Sequence, residues 1–272
     1  MDFVTRFAPS PTGYLHLGHA FSALTAFETA KAAGGRFLLR IEDIDEGRRR
    51  PEFEAAICED LEWLGLTWET PVRRQSDHIA DYQAALDRLI GMGLVYRDFR
   101  TRKELLAESL GAPHGPQSPV RGGPLPASQE AEKLEQNQPY AWRLWLDEAL
   151  RRTGPDLAFE ADGLGVKADP ALLGDAILAR KDAPTSYHLA SVHDDALQGV
   201  TDVIRGEDLR EAAHLHALLQ TLLGYPTPRY RHHPLILGSD GKRLAKRDLS
   251  QTLRSLREAG ASPDQVRRGL GR

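Results

Sequence analysis

The feature that most narrows the fold of this chain is a strand-to-helix junction at its start. Residues 2–7 (DFVTRF) read as a short strand. They run into APSPTGYLHLG, a loop rich in proline and glycine, and then into a helix. In that helix Ala20, Leu24 and Phe27 fall at i, i+4 and i+7, one face of a 3.6-residue period. RFLLRI (residues 36–41) is a compact apolar run between turn signals and predicts a second strand. A helix striped by Phe53, Ile57, Leu61 and Leu64 follows, then another striped by Ile79, Tyr82, Leu86 and Leu89. Strand and helix in alternation predict an α/β fold, a parallel sheet with covering helices.

The alternation breaks near residue 98. From Gly111 to Gln138 the chain is rich in Pro, Gly, Ser and Gln, with PHGPQSPVRGGPLP at the centre, which predicts an inserted subdomain with an exposed loop. Val200–Ile204 reads as a strand, and Leu215, Leu218, Leu219 and Leu222 as a buried helix face. SDGK at 239–242 is a turn signal, the tail from Leu249 reads as helical, and Ser262-Pro263 starts a last short helix. The expected organisation is 1–97 and 186–238 as halves of one nucleotide-binding unit, 98–185 as the insertion, and 239–272 as a loop and helical tail.

The 272 residues, 41% apolar and 27% charged, suffice for a sizeable core. No apolar run approaches the roughly 18 residues that span a bilayer, and the first residues lack the order of a secretory signal. One cysteine, Cys58, excludes a disulfide within the chain and a multi-cysteine zinc site. A cytoplasmic monomer with no membrane partner is expected. Net charge is −4, so a nucleic-acid partner has to be held by local patches. Arginine outnumbers lysine 28 to 7, which suits planar contacts to phosphate or carboxylate and also follows from base composition.

A loop between strand and helix is where α/β proteins hold phosphate, because the helix N-terminal amides and dipole favour anions. Gly13 and Gly18 permit close approach. His16 and His19, three apart at the helix start, can face one anion and donate to a phosphate whose charge grows in a transition state. By themselves the two histidines also suit metal binding or capping.

RFAPSPTGYLHLGHA resembles the first signature of class I aminoacyl-tRNA synthetases in its glutamyl form. KRLAKR at 242–247, after LILGSDG, resembles the second, with Ala245 where serine is usual. The resemblance implies a Rossmann-like parallel sheet and ATP, with Mg2+, as substrate. It implies that Lys246 neutralises the ATP phosphates, that His16 and His19 stabilise the pentavalent α-phosphate, and that Gly18 adjoins the nucleotide. L-Glutamate is implied to lie against Arg6, Phe7, Ala8, Pro9, Ser10, Glu42, Tyr187 and Arg205: the two arginines on carboxylates, Glu42 and Tyr187 at the amino end. Read singly, KRLAK is also a solvated turn, Arg6 a surface strand residue, Glu42 part of an acidic turn, Tyr187 a core residue, and Arg205 a partner for Glu207 or Asp208. PSPTG, rather than a PEPNG-like form, favours glutamate over glutamine. Asp194 and Asp195 match the family as structural or ribose-proximal residues.

Few residues follow Arg247, and that length resembles the glutamyl-Q tRNA(Asp) synthetases. These activate glutamate without tRNA and attach it to queuosine in the anticodon loop of tRNA(Asp). The alternatives are a short glutamyl-tRNA synthetase acting on the tRNA 3′ end and a non-catalytic RNA-binding relative. Many members carry a Cys-x-Cys zinc site, but here Asp98 and Arg100 stand at those positions, leaving only His114 and Asp98 as weak ligands, so zinc is not expected. Candidate RNA contacts are Arg48–Arg50, the cluster Arg97, Arg100 and Arg102, and RYRHH at 229–233; Arg48 is also a candidate buried partner of Asp43 or Asp45.

Overall fold

A computed structural model describes residues 2–101, 103–105, 119–236 and 252–272. The first stretch runs β1 (Val4–Phe7), α1 (Leu17–Ala32), β2 (Arg36–Ile41), α2 (Pro51–Trp63), β3 (Glu69–Arg74) and α3 (Ile79–Gly91). Next come β4 (Val95–Asp98), α4 (Ala127–Glu135), β5 (Ala141–Leu144), α5 (Leu146–Thr153), β6 (Ala158–Ala161), β7 (Leu164–Lys167) and β8 (Ile177–Ala179). The chain then forms α6 (Tyr187–Leu197), β9 (Asp202–Gly206), α7 (Ala212–Leu223) and β10 (Arg229–His233), and ends in α8 (Leu253–Glu258) and α9 (Pro263–Gly269).

Strands β1, β2 and β3 pair in parallel, with Val4 opposite Arg36 and Phe7 opposite Leu39. The α1 face that covers them is small: Ala20, Ala23, Ala26 and Ala30 are buried beside Leu24, so the helix lies close on the strands. Gly35 leads into β2 because a β-carbon there would collide with the Phe3 carbonyl. A second sheet has the order β7-β6-β10-β9, with β10 parallel to both neighbours. The two sheets meet edge to edge at Thr201, whose amide donates to Val4 O (2.9 Å) and whose hydroxyl accepts from Val4 N (2.9 Å). The chain leaves β1 towards β2 on one side and has β9 on the other. That change of direction makes a crevice at the carboxyl ends of the strands, the place where open α/β sheets bind ligands.

The stretch 98–185 is shared between two sheets. Strands β4, β5 and β8 form an antiparallel sheet of their own, so the boundary expected at 97/98 falls inside β4. The β6–β7 hairpin instead docks on β10, with Ala161 opposite Tyr230. The strand expected at 200–204 starts two residues later, because Thr201 is used to join the sheets.

Ion pairs lock the antiparallel sheet. Asp98 is buried and accepts from Arg100 Nε (2.8 Å) and from Arg143 Nε, while Arg143 also donates to Asp175 O (2.8 Å). Asp175 in turn accepts from the Tyr96 hydroxyl (3.0 Å) and Leu146 N (3.2 Å). Positions 98 and 100 thus hold a closed arginine–carboxylate pair, a donor set that does not fit a thiolate zinc site. His114 lies outside the described residues. Among the described residues no helix is long and apolar enough to cross a membrane.

The tail packs back on the first sheet's helices. Thr252 and Ser262 cap α8 and α9, Leu253 and Val266 are buried with Leu61 and Leu64, and Arg267 donates to Leu64 O (2.6 Å). Between α2 and α8 sits Asp60, fully buried, with neither oxygen hydrogen-bonded and the Arg257 guanidinium at 3.5 Å. Burial pushes its carboxyl up to about 6 despite Arg257. Unfolded, the same group ionises near 3.8. Between those values the folded chain keeps a proton that the unfolded chain gives up, so stability falls as pH rises and the deficit is complete above about 6. Asp60→Asn is therefore expected to raise the melting temperature near neutral pH, by an amount corresponding to roughly 1–3 kcal/mol, and to change little near pH 4. Thermal melts of both forms across that range check it.

Candidate active site

A cleft of about 360 Å3 opens at the carboxyl ends of β1, β2 and β9. Arg6, Phe7, Ala8, Pro9 and Ser10 enter it from β1, Glu42 from β2, Tyr187 from the start of α6, and Arg205 from β9. His16, Gly18 and His19 line it from the start of α1. Of the residues implied for glutamate and ATP, Lys246 alone lies outside the described residues. The chain on either side of its segment is at the cleft: Ile236 lines it, and Thr252 pairs antiparallel with His16.

The loop folds as it does because Glu42 N donates to Pro9 O (3.0 Å) and Arg50 N to Pro11 O (3.1 Å), which fasten it to the end of β2. His16 is the N-cap of α1. Its Nδ1 accepts from Gly18 N (3.1 Å), and its own amide donates to His19 Nδ1 (3.2 Å). The rings stack with centroids 3.8 Å apart. A β-carbon on Gly18 would lie 3.0 Å from the His16 ring, so glycine keeps this stack possible. A neutral imidazole that accepts at Nδ1 carries its proton on Nε2. Capping therefore sets both histidines as Nε2–H donors.

Beneath the cleft lies a buried charge cluster. Arg40, with no exposed surface, donates to Asp195 (2.7 Å) and Glu42 (3.2 Å) and faces Asp194 at 3.7 Å. Asp195 also accepts from Arg6 Nε (2.9 Å) and NH2 (3.3 Å). Asp194 accepts from Arg73 (2.7 Å), Gln75 (2.9 Å) and the Tyr82 hydroxyl (3.0 Å). Burial acts to raise Asp195, but Arg6 and Arg40 hold it below the usual carboxylate range. Burial raises Glu42, against the pull of Arg40 and Arg6. Arg73 also pairs with Asp81 (2.7 Å), so three arginines (6, 40, 73) face four carboxylates (42, 81, 194, 195).

Arg205 stands outside that cluster. It is 4% exposed, and among the described residues no carboxylate pairs with it, neither Glu207 nor Asp208. Its NH1 contacts the Tyr187 hydroxyl (3.3 Å) and His216 Nδ1 (3.4 Å), its Nε contacts His232 Nε2 (3.5 Å), and its NH2 has no partner. Tyr230 packs under it at 5.1 Å. Burial, then Arg205, lowers His188 and His232 to about 4 and His216 well below the histidine range, so its basic neighbours are uncharged.

A second cleft of about 600 Å3 shares Ser10, Glu42 and Tyr187 with the first and runs towards the antiparallel sheet along Asp45, Arg48, Arg180 and His188.

The arginines expected to meet RNA are largely engaged within the fold. Arg97 is clamped over Trp142 (4.5 Å) and Tyr140 (5.2 Å) and paired with Glu130; Arg100 is closed on Asp98; Arg102 lies outside the described residues. RYRHH is not a basic surface patch but strand β10, in which Tyr230 is core, His232 has no side-chain exposure, and Arg229 and Arg231 both pair with Asp202. Alternation along a strand turns every second residue inward, and the charge run hid that. Arg48 is exposed and pairs with Asp45 rather than buried; Asp43 is taken by Arg49 and Ser76. Sequence reading missed Arg40, His188 and His216. An arginine inside RFLLRI and a histidine inside a leucine face were the available signals, since buried polar groups demand partners.

Residues 2–272 match the family model described as tRNA synthetases class I (E and Q), catalytic domain. The chain is 48% identical to a glutamyl-Q tRNA(Asp) synthetase of Rhodobacter capsulatus, over 98% of this chain and 99% of that one. It is 39% identical to a glutamate–tRNA ligase of Ruegeria pomeroyi, over 95% of this chain and 58% of that one. The solved glutamate–tRNA ligase of Elizabethkingia meningosepticum, in complex with its amino acid, superposes with a TM-score of 0.74 at 32% identity, covering 91% of this chain and 52% of that one. The chain thus belongs to the class I tRNA synthetases of the E and Q type and is a ligase built on their catalytic-domain fold.

Proposed function

We propose that the protein joins L-glutamate to ATP without tRNA, forming glutamyl-adenylate, and then transfers the glutamyl group to queuosine in the anticodon loop of tRNA(Asp). Arg205 carries this reading: a buried cation with no anion of its own, lining a cleft that also holds two histidine donors. An uncompensated buried charge is costly, and a ligand carboxylate relieves it. Glutamate, with two carboxylates and an ammonium, brings a carboxylate for Arg205, whose NH2 has no partner of its own. Arg6, already neutralised by Asp195, adds hydrogen bonds more than charge, and Glu42 with Tyr187 is suited to the amino end.

In the first step a glutamate carboxylate oxygen attacks the α-phosphorus of ATP, and the bond to the bridging oxygen breaks as pyrophosphate leaves with its electron pair. His16 and His19 donate Nε2–H to oxygens whose charge grows, and Lys246 neutralises the phosphates that ATP brings in with Mg2+. The second cleft, open to Glu42 and Tyr187, offers an acceptor base a route to the activated carbonyl; AMP is then the leaving group. Transfer to queuosine is supported by the higher identity to the glutamyl-Q tRNA(Asp) synthetase, 48% against 39% for the glutamate–tRNA ligase.

His19→Ala and Lys246→Ala are each expected to slow glutamate-dependent ATP–pyrophosphate exchange by about 100-fold or more. Exchange at the wild-type rate in Lys246→Ala removes the lysine from the reaction. Arg205→Gln is expected to raise the KM for glutamate at least about 30-fold. It should leave the melting temperature equal or higher, because it removes an unpaired buried charge; a large loss of stability with unchanged KM contradicts the assignment. Labelled glutamate is expected on tRNA(Asp) that contains queuosine and to survive removal of the 3′ adenosine. Label lost with that nucleotide points to the 3′-end ligase, and tRNA binding without exchange points to a non-catalytic relative.

A further inference from the structure

Arg205 has to be held in place by something other than an anion. A guanidinium only donates, so its contact with His216 requires a lone pair on His216 Nδ1. The His216 proton is then on Nε2, which faces His188 Nδ1 at 3.1 Å and donates to it. His188 therefore carries its own proton on Nε2. Two neutral imidazoles in series run from Arg205 to His188, which lines the second cleft. His216 is 2% exposed, with the Tyr187 ring 5.6 Å away and the His188 ring 5.4 Å away, so it has little freedom to turn.

We propose that His216, backed by His188, is a positioning residue for carboxylate recognition: an uncharged acceptor that fixes the Arg205 guanidinium while leaving its charge to the ligand. A carboxylate at 216 would hold Arg205 as well but cancel the charge; an aliphatic side chain would keep the volume and release the guanidinium. Burial and the Arg205 charge favour the neutral imidazole that this role requires. The inference rests on the reading of Arg205 as the partner of a substrate carboxylate.

The test compares wild type, His216→Leu, His216→Gln and His216→Glu in ATP–pyrophosphate exchange, with KM for glutamate and ATP measured separately and a thermal melt of each. Expected for Leu is a glutamate KM about tenfold higher or more with the ATP KM within about twofold. Gln, an uncharged acceptor, is expected within about threefold of wild type, and Glu to resemble Leu. Equal values for Leu and Gln, or a Leu variant with the wild-type glutamate KM, overturn the proposal, because a purely structural residue moves both KM values and the melt together. Should the Leu variant fail to fold, His188→Leu is expected to raise the glutamate KM about threefold, and no change there overturns it equally. The wild type separates the two readings. Exchange with another amino acid and none with glutamate sinks the choice of substrate alone, and the variant ratios are read with that amino acid. No exchange with any amino acid sinks both.

Discussion

The structure depends on a guanidinium placed where no water reaches. Arg40 sits near the carboxyl end of β2, and taking such a group out of water costs several kcal/mol unless anions surround it. Two of the three anions come from α6, far along the chain, and one from the residue just after β2. The same aspartates hold Arg6 and Arg73, so β1, β2, β3 and α6 are drawn to one point. The floor of the cleft is therefore set by buried ion pairs between strands and a helix, and not by the loops above it. Removing one partner of such a cluster leaves a charge that nothing else there can satisfy, so the cluster is rigid in composition as well as in shape.

Rigidity alone does not select a ligand; an unpaired charge does. Arg6, Arg40 and Arg73 are spent on Glu42, Asp81, Asp194 and Asp195, and Arg205 is surrounded by tyrosine and neutral histidine. An arginine in that setting has dispersion and cation–π contacts but no countercharge, and the deficit persists until an anion arrives. An unpaired buried guanidinium of this kind suits an anionic group on a ligand, and that narrows the choice more than shape does.

The strand–loop–helix start was legible because proline, glycine and a helical stripe mark it in a few residues, and the structure places the family's glutamate and ATP residues, Lys246 apart, on one cleft. The buried faces of α1 and α7 were legible from their period. The role of β10 was not. RYRHH has the composition of a surface patch, and only the sheet order reveals that its alternate residues point into the core and that the exposed Arg229 and Arg231 share Asp202. Arg97 was hidden because the partners that absorb its charge, Glu130, Tyr140 and Trp142, lie elsewhere in the chain and a local run of arginine carries no trace of them, whereas Arg100 closes on Asp98 two residues before it. The hairpin β6–β7 was assigned to the insertion by position, yet it belongs with β10 by pairing, because contiguity in sequence says little about which sheet edge a hairpin completes.

Capping and the proposed donation to phosphate, offered by the sequence as alternatives for His16 and His19, are compatible in one arrangement. Each ring spends Nδ1 on a backbone amide at the start of α1, which satisfies donors that a helix N-terminus otherwise leaves unmet. That same bond decides the tautomer and turns the opposite nitrogen into a donor. A serine or aspartate cap would serve the helix equally well, but the first offers a freely rotating hydroxyl and the second repels phosphate. Histidine caps with one ring nitrogen and presents a directed proton on the other, so one side chain serves the helix start and leaves a donor free to face the cleft.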